Sequence, residues 1–305
     1  MNRLHDILVV ENAVKNCKVV RKERGSEMYE IKDLSGVEFK KIAACMREAF
    51  SDYYVKMELG DEALNHRFQS ENVQYDLSCG AFVGDELVAV LLNAVGEYNG
   101  EKVAFDAATG VIPAHRRKGL YSKMMDFCMA LLTQHDFAYY GLEVIQTNAP
   151  AVATYKKMGL DVIKEYACFR GNAKDTAEGT EDFQELPITE FPLDSLSALQ
   201  HDAPSFENRT EILRAFPADY LIMFTGPAEH CDAFIIYQKD NGHVKQWGRC
   251  EGKLSELGRL MVNLSGRYQD VRLHNINFTD QAWIEELEKL GFDHFCDQYE
   301  MKMDC

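Results

Sequence analysis

No run of roughly eighteen uncharged apolar residues occurs anywhere in this sequence, which leaves no candidate for a transmembrane helix. The start of the chain, Met1 to Val10, is broken by Asp6 and then Glu11 before a signal-peptide core can form, so the protein is expected to be cytoplasmic, with no membrane partner. Metal-binding and disulfide patterns are missing as well. The nine cysteines (17, 45, 79, 128, 168, 231, 250, 296 and 305) are odd in number and scattered, with no Cys-x-x-Cys pair, so neither a disulfide framework nor a zinc site is signalled and no metal is expected. Positive charge is scarce. With 33 Lys and Arg against 49 Asp and Glu the net charge is −16, which opposes nucleic acid as a partner because phosphates require a broad basic surface. A cationic ligand is favoured instead.

What is present is ample apolar material, 46% of 305 residues, enough for two packed domains. Residues 1–25 show no clean period and are read as an N-terminal extension. After them residues 28–32 alternate like a strand, and residues 36–52 place Val37, Ile42, Cys45, Met46, Ala49 and Phe50 at helical spacing. A shorter helix follows near 62–70. Residues 80–93 read as two strands around a Gly84-Asp85-Glu86 turn, and Asn99-Gly100 is a strong hairpin dipeptide leading into a third strand, 102–112. Residues 120–132 form a helix by their apolar stripe, 137–145 a buried strand, 148–159 a helix with Pro150 in its first turn, and 160–169 a closing strand. The order implies an α/β class: a mixed, mostly antiparallel sheet flanked by helices.

Residues 172–183 are small, polar and acidic and read as a linker. Beyond it the end of the first domain recurs: Tyr155-Lys-Lys-Met-Gly-Leu-Asp161 is echoed by Leu287-Glu-Lys-Leu-Gly-Phe-Asp293, 132 residues later. The expected organisation is therefore a domain over 26–171 and a second copy of the same type over 184–305.

Chemistry concentrates at Arg116, Arg117, Lys118 and Gly119, just where a helix begins. Free backbone N–H groups and the helix dipole make such a place suited to phosphate, although a three-cation run is by itself an ordinary solvated surface. Its setting is more specific. The pattern Val111-x-Pro113-x-x-Arg116-x-x-Gly119-x-Tyr121, followed by Asn148-x-x-Ala151-x-x-x-Tyr155-x-x-x-Gly159-Leu160, resembles the two signature segments of the GCN5-related N-acetyltransferase (GNAT) superfamily, in its tandem-domain bacterial form. The likeness covers about residues 28–170, including Ala49-Phe50-Ser51-Asp52-Tyr53-Tyr54, and is faint over 184–305.

The resemblance implies acetyl-coenzyme A as cosubstrate. Its pyrophosphate would be wrapped by main-chain amides of Arg116, Arg117, Lys118, Gly119, Leu120 and Tyr121, and its pantetheine arm would run beside the strand end Val111, Ile112 and Pro113. Tyr121 departs from the family pattern, which has a small residue there, so its ring must turn away from the cofactor. The resemblance further gives Asn148 the pantetheine arm and makes the Tyr155 hydroxyl the general acid for the departing thiolate. An incoming amine needs a base, and Asp106 and Glu143 each interrupt an apolar strand; either could instead be salt-bridged. The second copy lacks this equipment, since Asn148 falls on Asp280 and Tyr155 on Leu287, and is expected to shape the substrate cleft. Trp247 and Trp283 are either core residues or pocket lining. These readings point to an N-acetyltransferase acting on a primary amine of a small cationic molecule or amino acid. Alternatives are a non-catalytic acyl-coenzyme A sensor or scaffold, and a protein or peptide N-acetyltransferase.

Overall fold

The computed structural model describes residues 18–19, 28–52, 60–173 and 182–305. The expected N-terminal extension lies outside these apart from residues 18 and 19, as do Tyr53, Tyr54 and most of the expected linker. No helix among the described residues is long and apolar enough to cross a membrane. The chain forms two compact units, one of residues 1–142 with 302–305, the other of residues 143–301.

In the first unit β1 (Lys18–Val19), β2 (Glu30–Asp33), β3 (Val73–Val83), β4 (Glu86–Tyr98) and β5 (Glu101–Val111) pair antiparallel in that order, and β6 (Tyr139–Ile145) joins β5 in parallel through its first residues. The helices are α1 (Phe39–Ala49), α2 (Asp61–Ser70) and α3 (Leu120–Leu132). The run Val88-Ala-Val-Leu-Leu92 has no exposed surface at any position, so β4 is covered on both faces. Helix α1 packs on β4 and β5, and α3 on β2, β3 and β4. At Gly110 the approach is close: a Cβ there would meet Ala49 Cβ at 2.8 Å and the Phe50 ring at 3.0 Å, so the end of α1 rests directly on the end of β5. Asn99 and Gly100 both have positive φ, 52° and 79°, as a two-residue type I′ hairpin requires.

The second unit contains α4 (Ala149–Lys157), β7 (Asp161–Gly171), β8 (Gln184–Pro187), α5 (Thr210–Ala215), β9 (Tyr220–Thr225), β10 (Ala233–Gln238), β11 (Val244–Arg249), α6 (Leu254–Ser265), β12 (Val271–Asn277), α7 (Gln281–Leu290) and most of β13 (Asp293–Asp304). Strands β8 to β11 pair antiparallel in turn, β12 joins β11 in parallel, and β7 lies antiparallel to β12. Alternation along β10 divides its residues between two cores: Ile235 and Tyr237 pack with Leu260, Trp283 and Leu287, while Phe234 and Ile236 pack with Ile188, Leu213 and Phe224.

The recurrence in sequence corresponds to recurrence in structure. The starts of β6, α4 and β7 (Tyr139, Ala149, Asp161) and of β12, α7 and β13 (Val271, Gln281, Asp293) keep the 132-residue spacing through all three elements. Both series also follow three antiparallel pairings and one parallel pairing: β2 through β6 in the first copy, β8 through β12 in the second. The second copy replaces the pair α1 and α2 by short 3₁₀ turns and the single-turn helix α5.

Candidate active site

After β5 the chain turns at buried Ile112, whose amide bonds Val88 O, and enters a 3₁₀ turn opened by Pro113. Arg117 and Gly119 then take left-handed backbone, φ 62° and 70°, and Gly119 caps α3 without any side-chain bond. The amides of Arg117, Gly119, Leu120 and Ser122 donate to no backbone carbonyl among the described residues; the helical ladder starts with Lys123 N bonding Gly119 O. The result is a helix start with donors outside the ladder, the feature that holds an oxyanion.

The three cations beside it do different work. Arg116 faces the protein: Nε donates to Val111 O at 3.1 Å, one terminal nitrogen to Ala49 O at 2.8 Å, and both terminal nitrogens grip the Asp52 carboxylate at 2.7 Å. The guanidinium thereby ties the end of α1 to the end of β5 and holds the Asp52 carboxyl below its ordinary range. The Arg116 side chain is thus engaged in an internal ion pair. Lys118 Nζ donates to Tyr29 Oη at 2.8 Å, and that hydroxyl lies 3.0 Å from His115 Nδ1. Arg117 is exposed and makes no ion pair among the described residues, so it presents its charge to solvent beside the amides. The Tyr121 hydroxyl donates weakly to Met125 Sδ at 3.9 Å, one turn along α3, which turns the ring along the helix.

Asp106 sits where the register between β4 and β5 slips: Leu92 faces Ala108, and Asn93 faces Asp106, leaving Ala107 as a bulge. Bulges re-aim the neighbouring side chain. Oδ2 accepts from Thr109 Oγ1 at 2.6 Å, while Oδ1 is sealed from solvent without a hydrogen-bond partner. Burial pushes this carboxyl up to about 7, against the opposing pull of the Thr109 hydroxyl and the Ala108 amide. A carboxyl poised there is suited to accept a proton at neutral pH.

Glu143, Asn148 and Tyr155 belong to the second unit. Asn148 caps α4, its side chain accepting from Ala151 N at 3.4 Å, and Tyr155 is half-buried two turns on. Glu143 Oε2 accepts from Asn275 Nδ2 at 2.7 Å. The equivalent positions of the second copy have gone another way. Asp280 still caps α7 through Trp283 N, but its two oxygens are held by Arg249 at 2.9 and 2.6 Å, and Leu287 is wholly buried where Tyr155 carries a hydroxyl. The turn before α6 is Cys250-Glu251-Gly252-Lys253, in which Lys253 is paired with Asp232 at 3.0 Å. One glycine, an acid and a neutralised lysine there make a poor phosphate cradle. Trp283 is core, whereas Trp247 lines a small pocket, partly open to solvent, with Asn208, Gln246 and Asn275.

Residues 42–160 match the family model described as acetyltransferase (GNAT) family. The chain carries a GNAT domain. No curated protein matches this sequence, but solved structures match its fold. A Pyrococcus horikoshii protein provisionally assigned as an acetyltransferase has TM-score 0.68 at 13% identity over 94% of this chain and 93% of its own. A GCN5-related N-acetyltransferase from Sphaerobacter thermophilus gives 0.63 at 12% over 90% and 95%. A tandem GNAT protein of the clavulanic acid biosynthesis pathway gives 0.63 at 14% over 90% and 98%. At such identities the likeness is one of fold, and it extends over both copies. The family match over residues 42–160 supports acyl transfer as the general activity.

Asp52, the partner of Arg116, and Asn275, the partner of Glu143, were not singled out in the sequence as functional residues. Asp52 stands inside the quoted 49–54 segment, but nothing local ties it to a residue 64 positions on. Asn275 is marked in the sequence only by the repeat: it is Glu143 advanced by the spacing of 132.

Proposed function

We propose that this protein transfers an acetyl group from acetyl-coenzyme A to a primary amine of a small cationic molecule or amino acid. The observation that carries the proposal is the turn before α3, where two left-handed positions on either side of Lys118, Arg117 and Gly119, leave amides outside the helical ladder beside one solvent-facing guanidinium. Such a turn accommodates a pyrophosphate, and Arg116 acts by holding the turn in place rather than by touching the anion. The cosubstrate supplies a thioester, an activated acyl group with a thiolate as leaving group.

The protein's residues then have three tasks. Asp106 takes the proton from the ammonium, since a carboxyl near 7 can exchange with an amine at neutral pH. The amine nitrogen forms the new bond to the acyl carbon as the carbon–sulfur bond breaks, Tyr155 donates a proton to the departing sulfur, and the second proton that the nitrogen sheds on becoming an amide restores the Tyr155 hydroxyl through solvent. Glu143 supplies negative charge for a cationic acceptor, in keeping with the net charge of −16. The physical need for Tyr155 is modest but real: a thiol of pKa about 8.5 leaves faster when a hydroxyl of pKa about 10 is at hand.

The deciding experiment is a thiol-release screen of acetyl-coenzyme A against polyamines, aminoglycosides, amino acids and peptides, run beside calorimetric titration of the cosubstrate. Release with a small cationic amine and one binding site per chain are expected. Tight binding with no release on any amine would make the protein a sensor. Release on peptides alone would make it a protein N-acetyltransferase, and two equal sites per chain would show that the second copy also binds the cosubstrate.

A further inference from the structure

Glu143 does not stand by itself. Its partner Asn275 comes from β12 of the second copy, is 5% exposed, and has φ 63° inside a strand whose pairing with β7 slips between Leu273 and Ile276. A non-glycine residue in left-handed backbone costs free energy unless its surroundings require it, and a bulge is the usual means of re-aiming a side chain. Both devices converge on one amide. Asn275 Nδ2 lies 2.7 Å from Glu143 Oε2, 2.9 Å from Ser205 Oγ and 3.2 Å from Glu207 Oε1, and Oδ1 accepts from Gln298 Nε2 at 3.1 Å.

These contacts settle which way the amide points. A flipped amide would set its oxygen against two carboxylates and its NH₂ against the Gln298 donor, so the orientation follows from the hydrogen-bond network alone. The amide has two hydrogens for three acceptors, and the shortest distance is to Glu143, a charge-assisted bond of the stronger kind. Gln298 in turn donates to Cys168 Sγ at 3.4 Å, which steadies the far end of the network. An Asn here also meets the backbone demand, because Asn and Gly are the residues that take left-handed φ most readily.

We propose that Asn275 is a positioning residue for Glu143 in the handling of the amine acceptor: the second copy reaches the reaction by fixing a carboxylate of the first. This rests on the acetyltransferase reading above, and within it on the role given to Glu143. The second copy would then contribute aim as well as a wall.

The test is Asn275→Gly, which removes the amide while giving the backbone the residue that suits φ 63° best. On an amine that the wild type acetylates, kcat/KM for the amine should fall at least tenfold, with the KM for acetyl-coenzyme A and the Tm little changed. Glu143→Gln should fall at least as far, and the double variant no further than the lower of the two, as expected for residues acting as a pair. Should Asn275→Gly melt more than about ten degrees below wild type, Asn275→Asp carries the same test, since Asp keeps the shape and tolerates the backbone but replaces the donor by a third carboxylate. Wild-type kcat/KM in a folded Asn275→Gly, or in Asn275→Asp where that variant is used, overturns the proposal. Wild-type kinetics in Glu143→Gln overturns it too, while leaving acetyl transfer through Asp106 intact. If the wild type acetylates no amine, the acetyltransferase reading itself has failed and this proposal falls with it.

Discussion

Replacing Asp106 by Asn should make the protein more stable at high pH and less stable at low pH. The native carboxyl is pushed from 3.8 up to about 7 by burial, and holding it ionised costs on the order of 4 kcal/mol at about 1.36 kcal/mol per tenfold change in equilibrium. Below about pH 4 the group is neutral in folded and unfolded chains, and the cost is absent. Between about pH 4 and 7 the unfolded chain ionises first, binds fewer protons than the native state, and stability falls; above about pH 7 the loss is complete. The Asn variant has no proton to lose. It does place an amide N–H where Oδ1 now sits sealed and unpaired, a penalty of about 1–3 kcal/mol at every pH. The difference between variant and wild type should therefore change sign: negative near pH 4.5, positive by about 1–3 kcal/mol at pH 8. Calorimetric Tm values for both proteins at pH 4.5, 6, 7 and 8 measure it directly, each kcal/mol shifting Tm by roughly 2–4 °C in domains of this size. A difference that stays constant across that range would show that Asp106 does not titrate there and would refute both the burial argument and its use as a base. Steady-state assays on the same samples should show kcat/KM of the wild type rising through an apparent pKa near 7, a limb that the variant lacks.

Tyr155→Phe keeps the ring and deletes the hydroxyl, so acetyl-coenzyme A affinity should hold while kcat falls on the order of 10²-fold, about 2.7 kcal/mol of transition-state stabilisation; an unchanged kcat with chemistry rate-limiting would make Tyr155 a packing residue. Arg116→Ala removes bonds to Val111 O, Ala49 O and Asp52, and should cost about 2 kcal/mol of stability as well as weaken cosubstrate binding. Asp52→Ala should reproduce a smaller share of both effects, and a loss of affinity in Arg116→Ala without any fall in Tm would return Arg116 to direct phosphate contact. At Gly119, φ 70° with open space around the position predicts that Val is damaging through backbone strain while Asn is tolerated; equal Tm and affinity for Val and glycine would mean that backbone conformation is not the constraint.

The elements of the first copy were legible because their signals are local. The Asn99-Gly100 turn, the apolar stripe of 120–132, and Pro150 within the first turn of α4 each specify their own geometry, and the helix over Leu120–Leu132 matches its sequence bounds. The repeat was legible from seven residues because spacing within a copy is set by element lengths, which the fold preserves after side chains have diverged. Roles that depend on distant partners were not. Arg116 stands among three neighbouring cations in one dimension and is also a clamp in three, because Asp52 arrives from 64 residues upstream. Asp106 likewise stands at a register slip opposite Asn93, and its pKa is raised by burial, neither of which alternation alone shows. Asn275 reads as an ordinary polar strand residue until its backbone is seen to be left-handed.

The pairing of Glu143 with Asn275 joins the same position of the two copies, 132 residues apart. Identical domains meeting in this way would set like against like: two glutamates would face each other across less than the length of a hydrogen-bonded pair, and one would have to give up its charge. A covalently joined pair escapes that constraint, because each copy can change alone. Here one side carries an acid and the other an amide, so a directed bond stands where equal charges would collide. A carboxylate of one copy fixed by an amide of the other is an arrangement open to two unlike copies in one chain and closed to an assembly of separate identical chains.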